Sequence, residues 1–315
     1  MVYETFQTVL TEKLTRSLDP DCRLLMQKVP KNNGVMLDGL CIGKKGASVA
    51  PTVYLNSYFE RYQEGASLEL LTEEILNLYQ RDSSLLHTDF SILDDFSRLK
   101  HRIVYKLIHT KANAGLLKEI PSVPYLDLSI VFYLFLEEHD SGQMTALIHN
   151  HHLIAWDTCL EEIYELASRN TPAFFPFDLR TMSQLMDDIL GDNMDNKEVN
   201  DLIQGLSRPK PLSPLYVLTN NAGINGACTI LYPHVLQDFS QQLKQDLVIL
   251  PSSIHEVLLV PYDETVSLNE LSDMVRQVNQ TEVPVEERLS DHVYYYSRVS
   301  DQVLILKDSE SSHTC

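Results

Sequence analysis

The residues of this chain best suited to chemistry are three closely spaced histidines, His149, His151 and His152, in the run IHNHHLIAW. Read as the end of a strand, the run sends His149 and His151 to the same side, and imidazoles two residues apart can share a metal ion. His234, His255 beside Glu256, and His292 beside Asp291 fall at other expected strand or helix ends. If those ends converged, a His/carboxylate metal centre for hydrolysis would result. Against this, HExxH, HxH…D and HNH-type spacings are absent, and histidines at strand ends ordinarily cap or lie on the surface. The second candidate is the turn PSSIHE, with Ser252, Ser253 and His255. A nucleophilic serine needs an elbow such as GxSxG, an oxyanion hole and a base within reach. None of these can be read here, and a turn whose hydroxyls bond nearby amides is the plainer reading. No metal or cofactor is assigned; His149, His151 and His152 stand as metal candidates, His255 and Ser253 as catalytic ones.

The element that must position the histidines runs from Leu128 to Trp156, the most apolar stretch of the chain. Leu128, Ile130, Phe132, Leu134 and Leu136 share one face at period two, and Val131, Tyr133 and Phe135 the other. A strand apolar on both faces is covered on both sides, or on one side by the fold and on the other by a partner chain. Asp140-Ser141-Gly142 supplies turn chemistry, and Met144 to Asn150 returns as a second central strand. Thr158 and Glu161 fit a capping box for a helix with Leu160, Ile163, Tyr164 and Ala167 inward, stopped by Asn170-Thr171-Pro172.

Upstream, residues 3–18 read as an amphipathic helix rather than a signal peptide. Leu24–Val29 and Val35–Ile42 read as a hairpin turning on Lys31-Asn32-Asn33-Gly34, where Asn-Gly suits positive φ. Gly43-Lys44-Lys45-Gly46 lacks the spacing of a phosphate loop and reads as a turn. Two helices follow, one with Tyr54, Tyr58 and Tyr62 stacked as a core stripe, the other over Leu68–Tyr79. A longer helix is predicted from Asp94 or Asp95. Phe96, Leu99, Ile103, Val104, Leu107 and Ile108 would face inward, and Arg98, Lys100, Arg102 and Lys106 outward.

Downstream, Asp178 is predicted to open a helix containing Met182, Leu185, Met186 and Ile189. The acidic stretch from Asp187 to Asp201 lacks calcium-loop spacing and reads as a loop. The prolines of 205–214 mark a linker. Leu215–Thr219 and Gly226–Tyr232 read as strands flanking a turn, and a helix begins near Pro233. Leu247–Leu250 and Val257–Val260 are further strands, Ser267 and Glu270 cap another helix, and a last hairpin turns at Ser300-Asp301. Leu128–Ala167 and Leu215–Leu243 thus echo each other as strand, turn, strand, helix. The implied class is α+β, with hairpins and mixed sheets packed with amphipathic helices in two or three subdomains. The expected division is an N-terminal α+β region (1–120), a central hairpin–helix region (121–204), the linker, a C-terminal α+β region (215–306) and a flexible tail (307–315).

The chain has 315 residues, 44% hydrophobic and 22% charged, with a net charge of −19. That supports a sizeable core and disfavours direct binding to nucleic acid or anionic lipid, since no basic patch offsets the repulsion. Five cysteines without a CxxC point to a reducing, cytoplasmic setting, and no window reaches the ~20 apolar residues of a membrane span.

Several stretches carry a resemblance: NNGVMLDGLCI, PTVYLNSYFERYQEG, RIVYKLI, IPSVPYLDLSIVFYLFLEE, LEEIYELASRNTP, LYVLTNNAGINGACTILYP, VILPSSIHEVLLVP and LSDHVYYY. Together, from about Val29 to Tyr296, they resemble a bacterial family known as domain of unknown function 5688. The helix ending in Ala-x-x-Asn-Thr-Pro and PSSIHEVLLVP are more faintly similar to the uncharacterised YtpQ-type family. Neither resemblance implies an activity; both imply an α+β fold. The reading that follows is a cytoplasmic interaction or regulatory protein without catalytic activity, whose partner is a protein. The residues specify no oligomeric state. The alternatives are a metal-dependent hydrolase built on the histidines and an acidic protein that imitates DNA for a mobile element.

Overall fold

The computed structural model describes residues 1–44, 52–82, 95–139, 142–185, 214–251 and 253–306. Of the expected turn Gly43–Gly46, Gly43 and Lys44 instead continue strand; its second half at 45–46, the acidic stretch 187–201, the linker 205–213, the tail 307–315 and Ser252 lie outside the described residues. The chain divides into two compact units, Met1–Arg98 and Leu99–Cys315. Both combine antiparallel sheets with helices, so the fold is α+β.

The first unit runs α1 (Tyr3–Ser17), β1 (Cys22–Pro30), β2 (Met36–Lys44), β3 (Thr52–Tyr54), α2 (Leu55–Gln63) and α3 (Leu68–Asp82). The β1–β2 turn takes positive φ at Asn33 (58°) and Gly34 (74°), as the Asn-Gly pair implies. The sheet order is β1-β2-β3, which leaves β1 at an edge. Phe6, Leu10 and Leu14 fall four residues apart on α1 and are fully buried against Leu40 and Ile42 of β2 and Leu71 and Ile75 of α3. Each such side chain contributes roughly 2 kcal/mol by leaving water. Of the tyrosine stripe, Tyr58 and Tyr62 pack on this core, the latter 5.4 Å from the Phe6 ring. Tyr54 instead lies under the Lys31 ammonium, 3.7 Å from the ring centre.

The next stretch differs from the predicted long helix. Helix occupies one turn, α4 (Phe96–Leu99), followed by a 3-10 turn at Lys100–Arg102 and then strand β4 (Ile103–His109). IVYKLIH is buried on both faces, and an apolar run buried on both faces also satisfies a helical stripe. Its β-branched and aromatic residues find a ladder in β6, with Ile103 opposite Leu134 and His109 opposite Leu128. The proposed basic helical face does not form.

β6 (Leu128–His139) is the central strand of the smaller sheet of the second unit, between β4 on one side and β5 (Ser122–Tyr125) and β7 (Gly142–Leu147) on the other. Both faces are buried, as the two-sided apolar pattern requires: Leu128, Val131 and Phe132 are inaccessible to solvent. Among the described residues β7 pairs only with β6, so it lies at an edge instead of in the middle. It ends at Leu147; the histidines follow in α5 (Asn150–Ala155), a short helix with His149 at its N-cap. The side-by-side strand geometry expected for His149 and His151 is therefore replaced by a first helical turn.

α6 begins at Leu160 rather than at Thr158, whose hydroxyl donates to Glu162 at 2.6 Å, and it runs through Pro172 to Phe174. Pro172 sits in the last turn, where it forfeits one backbone bond. Asn170 and Thr171 anchor that turn on β4: the Asn170 amide donates to the carbonyls of Lys100 and Ile103, and Thr171 Oγ1 accepts from the Tyr105 N–H at 3.0 Å.

The larger sheet has the order β13-β12-β10-β11-β9-β8, all antiparallel in its pairings: β8 (Phe177–Thr181), β9 (Tyr216–Asn220), β10 (Leu247–Leu250), β11 (Val257–Pro261), β12 (Tyr294–Ser297) and β13 (Gln302–Ile305). Helix predicted from Asp178 is strand up to Thr181, because Phe177–Thr181 pairs along β9; helical backbone starts at Met182. α7 (Val235–Leu243) and α8 (Leu268–Thr281) complete the unit. Gly226–Leu231 is a buried 3-10 segment, not the expected return strand, so the proposed internal echo fails at its second strand. A Cβ on Gly226 would lie 2.2 Å from Thr219 Oγ1 and 2.4 Å from the His255 carbonyl oxygen. The segment is wedged against β9 and the 253–256 turn, leaving no room to extend a ladder there.

Candidate functional site

Each group of residues picked out for chemistry is built into local structure. His152 Nδ1 accepts the His149 N–H at 3.0 Å, which closes the first turn of α5. The His152 ring stacks on Trp156 at 5.2 Å between centres and lies 4.1 Å from the His151 ring. Burial, then the neighbouring His151 and His149, push its pKa below the usual histidine value. Among the described residues, no group of three or more His, Cys, Asp or Glu is placed to hold a metal ion.

Ser253 and His255 are close but do not form a nucleophile–base pair. Ser253 Oγ donates to Glu256 Oε1 at 2.8 Å and accepts the backbone N–H of His255 at 2.9 Å. His255 Nδ1 accepts the Asn225 N–H, and Nε2 lies 3.6 Å from Glu287. The carbonyl of His255 accepts Thr219 Oγ1 at 2.7 Å. These bonds pin the turn to the 3-10 segment after β9. His234, at the α7 N-cap with φ of 67°, contacts Gln237.

The structure brings His292 into a cluster that sequence reading misses, centred on Asp127. Its Oδ2 accepts Ser290 Oγ at 2.6 Å and contacts His292 Nδ1 at 3.0 Å; its Oδ1 accepts the Tyr294 hydroxyl at 2.7 Å. His109 Nε2 stands 3.9 Å away. Desolvation raises the Asp127 pKa, but the bonds from Ser290, His292 and Tyr294 outweigh it and the net shift is downward. Asp127 closes the two-residue β5–β6 turn with Leu126, whose φ is 57°. Its partners lie 163 to 167 residues later, so no local pattern could have linked them. The carboxylate ties the end of the smaller sheet to β12. Ser290 is 4% exposed, its proton goes to Asp127 and its oxygen accepts the His292 N–H at 2.9 Å, so it is enclosed and oriented within the fold and does not face a substrate. Asp291 accepts from Asn279 on α8.

One thiol is wholly enclosed. Cys228 lies among Tyr105, Tyr133 and Tyr232, and burial holds its pKa up at about 12, which keeps it protonated and inert.

An open concave feature lies in the first unit. A groove of about 570 Å³ runs between α1 and β1, with Glu4, Gln7, Thr8 and Thr11 on the helix side and Met26 and Lys28 on the strand side. Glu12, Gln27 and Asp38 complete its lining. Lys28 pairs with Asp38 across the strands at 2.8 Å. The ladder register decides which backbone groups of β1 lie at the sheet edge beside the groove. The Lys31 N–H donates to the Val35 carbonyl at 2.7 Å, and pairing proceeds two residues at a time, so odd-numbered residues of β1 bond to β2. The same parity sends the Asp38 N–H away from β1, where Asn56 Oδ1 accepts it. The amides and carbonyls of Leu24, Met26 and Lys28 therefore point out of the sheet edge, and none makes a hydrogen bond among the described residues. No signal in the sequence marks this edge as open, because strand order decides it.

Residues 3–298, nearly the whole chain, match the family described as "Family of unknown function (DUF5688)". The fainter likeness to the YtpQ type has no counterpart in that match. No curated protein and no solved structure matches the chain.

Proposed function

Since the chain belongs to this family of unknown function, we propose, from its geometry alone, that it is a protein-interaction module without catalytic activity, and that the α1–β1 groove is its contact surface. One observation carries the proposal. The side-chain atoms a catalyst would need are already bonded within the fold at Ser253, His152 and Asp127, whereas the backbone groups at the sheet edge of β1, beside the groove, make no bond among the described residues. Backbone groups left unbonded at a sheet edge are a standing template for another strand. A protein partner in the cytoplasm accords with the free thiols Cys22, Cys41, Cys159 and Cys228. It also accords with the acidic charge, which repels nucleic acid. No described helix is long and apolar enough to cross a membrane.

The test is a photo-activated cross-linking residue placed at Gln7 or Thr11 in the native cells, with Asp273 on α8 as the control position. A discrete protein adduct at the groove positions and not at Asp273 is expected. Adducts absent from the groove, or equal at Asp273, would contradict the proposal.

A further inference from the structure

The groove has the parts of a strand-addition site: an edge strand, a helix beside it, and a channel between them. β1 is nine residues long and, among the described residues, is hydrogen-bonded on one side only. Leu24, Met26 and Lys28 offer alternating N–H and C=O groups at the spacing an extended chain would match. Pro30 lacks an N–H and ends the usable edge. Met26 is 37% exposed on the face that α1 only partly covers, so an incoming strand has an apolar side chain to pack against.

Charge selects the occupant. Glu4 and Glu12 line the helix side, the latter 3.6 Å from Arg16 in an exposed pair, Asp38 neutralises Lys28, and the chain as a whole carries −19. A second copy of this chain brings the same negative field and is repelled; a positively charged segment is drawn in. We infer that the groove binds an extended, lysine- or arginine-rich segment of a partner protein, which adds to β1 as a fourth strand alongside α1. The inference rests on the interaction-module reading and supplies the partner's chemistry. Backbone pairing gives the affinity, and the acidic helix side gives the preference for basic side chains.

The experiment uses the full-length chain and two fluorescein-labelled peptides as long as β1, one alternating valine with lysine and the other valine with glutamate. Binding is read by fluorescence anisotropy. The lysine peptide is expected to bind, more weakly as salt rises, and the glutamate peptide to fail. Met26→Pro removes one outward N–H without touching the β1–β2 ladder, and should weaken binding by about fivefold or more. N-methylation of alternate peptide amides should do the same with no change to the protein, which guards against a misfolded variant. Glu4→Lys with Glu12→Lys should weaken the lysine peptide and admit the glutamate one. Equal binding of both peptides would overturn the inference, as would lysine-peptide binding indifferent to Met26→Pro and to N-methylation. Self-association of the chain abolished by Met26→Pro would overturn it in favour of a second copy. If neither peptide binds while groove-specific cross-links persist, the strand-addition inference fails and the interaction reading stands. If the cross-links are missing as well, both fail.

Discussion

Asp127 shows how one carboxylate can be structural and acid-sensitive together. Its folded pKa is lowered, so its contribution is present above the unfolded value near 3.9 and is lost as pH falls through the folded value. Asp127→Asn keeps the size, but it replaces a charged acceptor of three close bonds with a neutral amide. A loss of about 2 kcal/mol in urea unfolding at neutral pH is expected, with the difference from the parent shrinking below about pH 4. His152 has the opposite charge type and a lowered pKa, so the folded state holds it neutral. The unfolded chain takes up the proton first. Stability from this group is therefore complete above about pH 6.5 and falls as the solution is acidified below it. His152→Gln retains an acceptor for the His149 N–H and should flatten that part of the pH profile. At this scale the sequence draws attention to His152 and His292 but not to the bonds they make. The capping of His149 by His152 is local and within reach of reading; the Asp127 cluster joins residues more than 160 apart.

At the scale of elements, β6 is legible because its apolar residues exceed what one face can hold, and the β1–β2 hairpin is legible because Asn-Gly selects its turn. β4 is misread for the same reason that β6 is read well. A short run apolar on both faces satisfies two periods, and its pairing with β6 decides between them. The Gly226 segment reads as a strand by composition, yet it is shaped by close approach of other backbone. Gly226→Ala is expected to abolish folding or cost more than about 3 kcal/mol, because two of the clashing atoms are backbone. Gly223→Ala, with φ of 64° and nothing within 4 Å of the added carbon, should cost only about 1 kcal/mol. Thermal or urea unfolding of the pair separates contact from conformation. The cap at Ser267, whose side chain accepts the Glu270 N–H, is readable from Ser-x-x-Glu, and Ser267→Ala should cost about 1 kcal/mol.

Over the whole molecule, the two units each enclose their own core: Phe6, Leu10, Leu40 and Leu71 in one, and the two sheets joined through Asp127 in the other. Leu99–Cys315 made alone is expected to unfold cooperatively on heating, with near-ultraviolet circular dichroism from its tyrosines intact. A non-cooperative melt would show that it needs the first unit. The α+β class and the acidic balance are visible in composition and pattern. The open edge of β1 is not, since nothing local to CRLLMQKVP states which neighbour it lacks.

Amide hydrogen exchange along β1, followed residue by residue in the free chain and with the valine–lysine peptide present, shows whether the edge is open and whether a strand closes it. Arg23, Leu25 and Gln27, which bond to β2, are expected to be protected in both states. Leu24, Met26 and Lys28 are expected to exchange quickly in the free chain and to become protected when the peptide is added. Slow exchange at Leu24, Met26 and Lys28 without peptide, or rates that the peptide leaves unchanged, would contradict an open edge that takes an added strand.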